Sequence, residues 1–295
     1  MRIFLTGATG FIGSHILPEL LKGGHQVLGL SRSDAGAKQL AAAGAEVYWG
    51  DLDDPATLRS GAEKADAVIH CAFDHDFSRF VENCQKDKRN IEAMGEALAG
   101  STRPLLITSG SGLGSRGPGQ ISTEEFFDAA HPNPRKVSEV TGDAVAAARG
   151  INISYMRLPQ VHDTRKQGLI TPLIELARAK GRVAYLGEGK DRLAAAHVSD
   201  VARLYKLAIE RAEPGARYHA VAEEGVPMRD IAEALGRSLK LPVVSLSQDE
   251  VADYFGWMAM FAGVDMPASS AITQKKLGWK PVGPGLIADL DRLEL

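Results

Sequence analysis

The sequence predicts an α/β fold: a doubly wound parallel sheet, with a smaller and mostly helical part toward the C terminus. Three observations carry this. Residues 2–16 pass from an apolar and β-branched run, Arg2 to Thr6, through Gly7, Gly10 and Gly13 at three-residue spacing, straight into an apolar helical pattern. Short apolar runs then alternate with amphipathic stretches as far as Pro159, the order that builds βαβ units and a parallel sheet. With 295 residues, 44% apolar and 24% charged, the chain can bury one large core or one and a half.

The opening turn sets the chemistry. A strand feeding a helix N-terminus leaves unpaired N–H groups and the positive end of the helix dipole facing one point, which suits a pyrophosphate. Gly7 and Gly10 let the backbone turn and approach such a group, and Gly13 lets the helix pack close to the sheet. The segment Thr6-Gly-Ala-Thr-Gly-Phe-Ile-Gly13 resembles the extended or atypical short-chain dehydrogenase/reductases, the superfamily of the nucleotide-sugar epimerases and dehydratases. The resemblance implies a Rossmann domain in which Gly7, Thr9, Gly10, Phe11, Ile12 and Gly13 bind a nicotinamide dinucleotide.

Gly13 to Gly23 reads as the first helix, with Pro18 expected to bend it. His25 to Leu30 is the second strand, ending in Ser31-Arg32-Ser33. In a βαβ unit the end of this strand reaches the adenosine ribose, where a carboxylate selects NAD. Ser31 and Arg32 stand there instead. A guanidinium forks well onto a phosphate, so NADP(H) is the expected cofactor, with Lys38 a second cation. After the strand Glu46–Gly50, the resemblance sets Asp51 and Leu52 against the adenine; a plain turn residue is the alternative for Asp51. The fourth strand, Ala67–Phe73, leaves room for cofactor at Cys71, Ala72 and Phe73, and its lone His70 reads as core packing.

A long helix follows over residues 77–98. The family's active-site Asn falls on either Asp87 or Asn90, with Asp87 preferred because Ile91, Met94 and Leu98 then take the apolar positions. At the end of the fifth strand the family places a hydroxyl that polarises the reacting oxygen. Gly110 occupies that position, and the flanking Ser109 or Ser111 can substitute.

The main departure lies in Asn133-Pro-Arg-Lys-Val-Ser-Glu139. The family's Tyr-x-x-x-Lys pair, proton donor and its partner, is replaced by Arg135 and Glu139. An arginine stays protonated and cannot give up a proton at neutral pH, and a nearby carboxylate raises rather than lowers the pKa of an acid. Either the two carry a new role, or they are an i,i+4 surface pair. The sixth strand ends at Pro159, which resembles the family's exit beside the nicotinamide, and His162 follows on a loop expected at the mouth of the site. Its imidazole can donate the missing proton; a structural histidine is the alternative.

These readings give a nucleotide-binding domain over residues 1–163, returning at about 194–222, and a smaller substrate-covering part over 164–193 and 223–295. The aromatic and Met cluster around Tyr254, Trp257, Met258, Met260 and Phe261 lines an apolar pocket or simply packs a core. Net charge −3 and pI near 6.3 give no argument for nucleic acid or anionic membrane. No apolar run reaches the roughly 20 residues a membrane span needs, and there is no metal-ligand spacing. Cys71 and Cys84, without a CxxC pair, fit a reducing cytoplasm. A homodimer through the sheet-covering helices is the family's expectation. The leading function is NADP(H)-dependent reduction of a small carbonyl substrate. The alternative is a catalytically silent NADP(H)-binding regulator like the nitrogen-metabolite-repression sensors, and nucleotide-sugar epimerase or dehydratase chemistry ranks third.

Overall fold

Side-chain alternation along the first strand builds two cores at once. In β1 (Arg2–Thr6) Ile3 and Leu5 face one side of the sheet and Phe4 the other, all fully buried, as the two-residue period of a strand requires. In the computed structural model, which describes residues 1–294, β1 is followed by α1 (Gly13–Lys22), β2 (Gln26–Ser31), α2 (Asp34–Ala42), β3 (Glu46–Trp49), α3 (Pro55–Glu63), β4 (Ala67–His70), α4 (Phe80–Leu98), β5 (Pro104–Gly110), α5 (Val137–Arg149) and β6 (Asn152–Leu158). Beyond these lie β7 (Gln160–His162), α6 (Ile170–Lys180), β8 (Val183–Leu186), β9 (Arg192–His197), α7 (Val198–Arg211), β10 (Arg217–His219), β11 (Glu223–Pro227), α8 (Met228–Leu239), β12 (Val243–Leu246), α9 (Val251–Phe255), α10 (Ala271–Leu277) and α11 (Leu286–Leu290). Pro18 sits inside α1 without ending it.

Seven parallel strands form the main sheet in the order β10-β6-β5-β4-β1-β2-β3. Strand order reverses between β1 and β4, and a crevice opens at the C-terminal ends of strands at such a switch point. Ile16, Leu20, Leu204 and Tyr205 from α1 and α7 cover one face, while Leu58, Ile91, Met94 and Leu98 from α3 and α4 cover the other.

The C-terminal part is mostly helical, with α6, α8, α9, α10 and α11, and adds two small sheets that the sequence did not announce. Strands β11-β9-β7 form a three-stranded sheet and β12-β8 a two-stranded one. Strands of three to six residues are too short to show a two-residue period in the sequence. Of residues 194–222, α7 packs on α1 in the main core and β10 joins the main sheet, but β9 pairs with β7 and β11. The tail folds back here: buried Trp279 donates through Nε1 to the carbonyl of Asp200 (3.0 Å), and the Asp200 carboxylate accepts from the backbone of Val282 and Gly283 (3.0 and 2.8 Å).

Candidate active site

The glycine turn is built from close contacts. Gly7 has φ +70°, and a Cβ there would meet the backbone nitrogen of Ala72 at 2.9 Å; a Cβ on Gly13 would meet the Gly7 carbonyl oxygen at 2.0 Å. Gly10 N–H donates to that same oxygen (2.9 Å) and closes the turn. Ile12, preceding α1, offers no capping side chain, and the first turn carries no carboxylate, so no side chain of the turn competes with an anion for the helix start.

At the switch point a cavity of about 490 Å³ is walled by Gly7, Thr9, Ser31, Arg32, Asp51, Leu52, Ala72 and Phe73, together with Asp53, Asp74, His75 and Lys86. The first eight are the residues expected at a dinucleotide. Gly10, Phe11, Ile12, Gly13, Cys71 and Pro159 are not in this wall. Phe11 packs edge-on against His15, and Cys71, its thiol pushed up to about 11 by burial, sits beside Tyr205 and Thr108. Lys38 is exposed on α2, outside the wall. Lys86 was legible only as a helix residue, yet it bridges the cavity rim, 2.6 Å from Asp53 and 3.1 Å from Asp74. The glycine turn packed tightly against Ala72 and on itself, the bare helix start and Arg32 just past β2 together fit a nicotinamide dinucleotide.

Asp87 organises the adjoining site. Its buried carboxylate accepts from His70 Nε2 (3.0 Å), Arg135 Nη1 (2.7 Å) and Ser138 Oγ (2.6 Å). Burial pushes this carboxyl up, but Arg135, His70 and Ser138 outweigh it and hold it well below the usual carboxylate range. An ionised carboxylate only accepts, so His70 donates from Nε2; its Nδ1 shares a hydrogen bond with the Thr6 hydroxyl (2.8 Å), which also accepts from Ala72 N–H (3.2 Å). His70 is therefore not core packing but the link between glycine turn and Asp87. Asn90, the open alternative to Asp87, instead donates to the carbonyl of Leu52 (3.1 Å).

Arg135 and Glu139 do not form a surface pair. Arg135 turns inward over the Phe73 ring (4.1 Å from its centroid), donates to Asp87, Ser138 and the Thr108 carbonyl (2.8 Å), and keeps Nε and one Nη2 hydrogen without partners among the described residues. Glu139 is fully buried and turns toward Arg157, which grips it at both oxygens (2.7 and 2.8 Å). Arg217 Nε (2.7 Å) and Ser109 Oγ (2.6 Å) complete its acceptor sites. Burial opposes its ionisation, and Arg157, Ser109 and Arg217 prevail, leaving it below the usual glutamate range. The Ser109 hydroxyl is thus spent as a donor on Glu139 and cannot also polarise a substrate. Ser111 is buried in the turn after β5, with no hydrogen-bond partner among the described residues.

His162 departs most from expectation. It lies inside β7 rather than on a loop, is fully buried, and holds Asp289 of α11 through Nδ1 (2.7 Å). Burial lowers its pKa despite the pull of Asp289. Pairing of β7 with β9 sets His162 opposite His197 in a second sheet, the ring does not line the cavity wall, and nothing in the spacing of Gln160-Val-His162 signals that sheet.

Comparison with known proteins agrees with this geometry. The chain is 45% identical over 291 residues to an uncharacterized protein of Schizosaccharomyces pombe, covering 98% of each. It is 28% identical over 246 residues to a decarboxylating sterol-4-alpha-carboxylate 3-dehydrogenase of Dictyostelium discoideum, covering 77% of this chain and 73% of that one. The fold matches a UDP-glucose 4-epimerase of Thermus thermophilus solved with NAD, at TM-score 0.74 and 20% identity over 99% of this chain and 97% of the other. Residues 3–222 match the model of the NAD dependent epimerase/dehydratase family, and with its glycine turn and seven-stranded parallel sheet the chain belongs to that family.

Proposed function

We propose that this protein is an NADP(H)-dependent oxidoreductase that reduces a small carbonyl substrate. The observation that carries the reading is Arg135, held by Asp87, Ser138 and the Thr108 carbonyl against a wall residue of the cofactor cavity with two N–H donors to spare. The bound cofactor would supply hydride, held by Gly7, Thr9, Asp51, Leu52, Ala72 and Phe73. Ser31 and Arg32, with no carboxylate at the end of β2, support the phosphorylated cofactor.

Hydride arrival at a carbonyl carbon builds negative charge on its oxygen. Fixed donors aimed at that charge stabilise it without reorganising. The spare donors of Arg135 and the Ser111 hydroxyl serve this purpose, and because the guanidinium keeps its protons, water supplies the proton. The dehydrogenase named among the relatives supports a redox role. Nucleotide-sugar epimerisation is less well supported, since it needs a base at the position Arg135 occupies.

Arg135 also favours a second reading. With no titrating donor at that position, the same architecture suits a regulator that binds NADP(H) and performs no chemistry. The experiment that separates the two follows nicotinamide absorbance with NADPH or NADH across aldehydes, ketones, quinones and sugar nucleotides. Protein-dependent NADPH oxidation with one carbonyl class establishes the oxidoreductase; tight NADPH binding with no turnover across the panel favours the regulator.

A further inference from the structure

A second cavity, of about 40 Å³, lies in the C-terminal part under residues 256–263. Leu173, Leu193, Met228, Phe255, Met258 and Phe261 contribute to its wall, Asp191 is the one charged residue there, and the wall contains no Lys or Arg. A phosphate-bearing arm would find no counter-charge in it, whereas an alkyl or aryl group would find a matching surface.

The roof of this cavity is connected to the cofactor cavity by aromatic contacts. Phe261 lines the small cavity and meets Phe77 edge-on (centroids 6.0 Å apart); Phe77 contacts Phe80 (5.6 Å), and Phe80 contacts Phe73 of the cofactor cavity (6.2 Å). On the outer side Trp257, 51% exposed, stacks on Phe77 at 5.3 Å and 14°. The backbone hydrogen bonds of the roof are local, Ala262 N–H to Ala259 and Val264 N–H to Phe261. Gly256 and Gly263 bracket it at φ +54° and +75°. The segment is held by side-chain packing, Met258 being buried with Tyr254, Phe255 and Ala184, rather than by hydrogen bonds to other elements, and with a positive-φ glycine at each end it can move as a unit.

We propose that this cavity receives an alkyl or aryl arm of the carbonyl substrate and that residues 256–263 swing out to admit it. The inference rests on the oxidoreductase reading. At about 40 Å³ the closed cavity holds only a few atoms, so the arm enters as the Phe77–Trp257 stack opens and its carbonyl end lies toward Phe73 and Arg135.

The test is calorimetric titration of the full-length protein, saturated with oxidised cofactor, with 2-pentanone, 2-heptanone and 2-nonanone. Burial of each methylene in such a cavity strengthens binding by about fourfold, so affinity should climb by roughly an order of magnitude per step of the series. Ala262→Trp, which fills the cavity, should flatten that climb while cofactor affinity persists; Met258→Ala, which enlarges it, should favour the longest ketone. A dissociation constant independent of chain length overturns the proposal, as does an unchanged climb in both variants with cofactor binding intact. The two readings separate cleanly. Chain-length-dependent binding without reduction of any ketone by NADPH sinks the oxidoreductase and leaves the cavity as a ligand site. Reduction of small carbonyls with no chain-length dependence leaves the oxidoreductase and removes the pocket.

Discussion

Arg135 and Asp87, 48 positions apart in sequence, meet as an ion pair with Nη1 2.7 Å from Oδ2, where the Asp87 side chain is 2% exposed and the Arg135 side chain 14%. The pair joins the 3-10 turn Pro134–Lys136, which leads into α5, to α4. It also explains how an arginine is accommodated where the sequence resemblance sets a tyrosine: its charge is balanced within the protein, and its remaining N–H groups are oriented.

Asp87→Asn should therefore destabilise the fold by about 3 kcal/mol, because it leaves Arg135 half-buried without its counter-charge. Urea denaturation at pH 7 measures this. The sign with pH also follows. The folded carboxyl lies below its unfolded value, so its contribution is complete above about pH 4 and is lost as pH falls further. The variant should lack that acid-side loss.

Glu139→Gln should cost about 3–5 kcal/mol. The change keeps the shape of the side chain but leaves Arg157, fully buried, without an anion. It also releases the Ser109 hydroxyl. A loss of less than about 1 kcal/mol in the unfolding free energy from urea titration would mean that the network is far less coupled than its geometry indicates.

His219 gives a second pH signal. Its Nδ1 lies 2.8 Å from the Ser269 carbonyl and its Nε2 faces Arg157 Nη1 at 3.3 Å, so the ring is neutral, donating from one nitrogen and accepting at the other. Burial and the Arg157 charge bring its pKa down to about 3. The unfolded chain takes up the proton near pH 6.5 and the folded one does not. Stability is then fully present above about pH 6.5 and falls by roughly 1.4 kcal/mol per unit as pH drops toward the folded value. His162, whose pKa burial also lowers, adds to the same slope. His219→Gln should reduce the slope between pH 7 and 5, measured by urea titration at each pH.

Arg32→Ala should weaken NADPH by about tenfold or more and leave NADH nearly unchanged. Fluorescence titration with both cofactors checks this. Equal losses would assign Arg32 to a general electrostatic role and remove the basis for the NADP(H) preference.

Much of the fold was legible because its signals are local. The strand–turn–helix order of residues 2–22 and the alternation through β6 follow from residue patterns a few positions wide. Eight residues expected at the cofactor, Gly7 and Arg32 among them, share one cavity wall for the same reason: the ends of parallel strands converge at a switch point. Interactions that join distant segments were hidden. Nothing near His70 announces Asp87 and Thr6 as its partners, and nothing near Glu139 announces Arg157 or Arg217. His162 shows the opposite failure, where the right distance after a strand suggested a loop and pairing with β9 made a buried strand instead.

The fastening of Trp279 and residues 282–283 onto Asp200 bears on how the chain is made. Asp200 lies at the start of α7, whose apolar side completes the core beneath β1. A nascent chain emerges N-terminus first, so the glycine turn is synthesised more than 250 residues before the segment that closes the far side of its own domain. A ribosome-stalled chain ending at residue 222 would contain all the residues of the main sheet yet leave the α7 junction open to solvent. Protease resistance of the early strands should therefore appear late in translation, once the residues around Trp279 have cleared the exit tunnel.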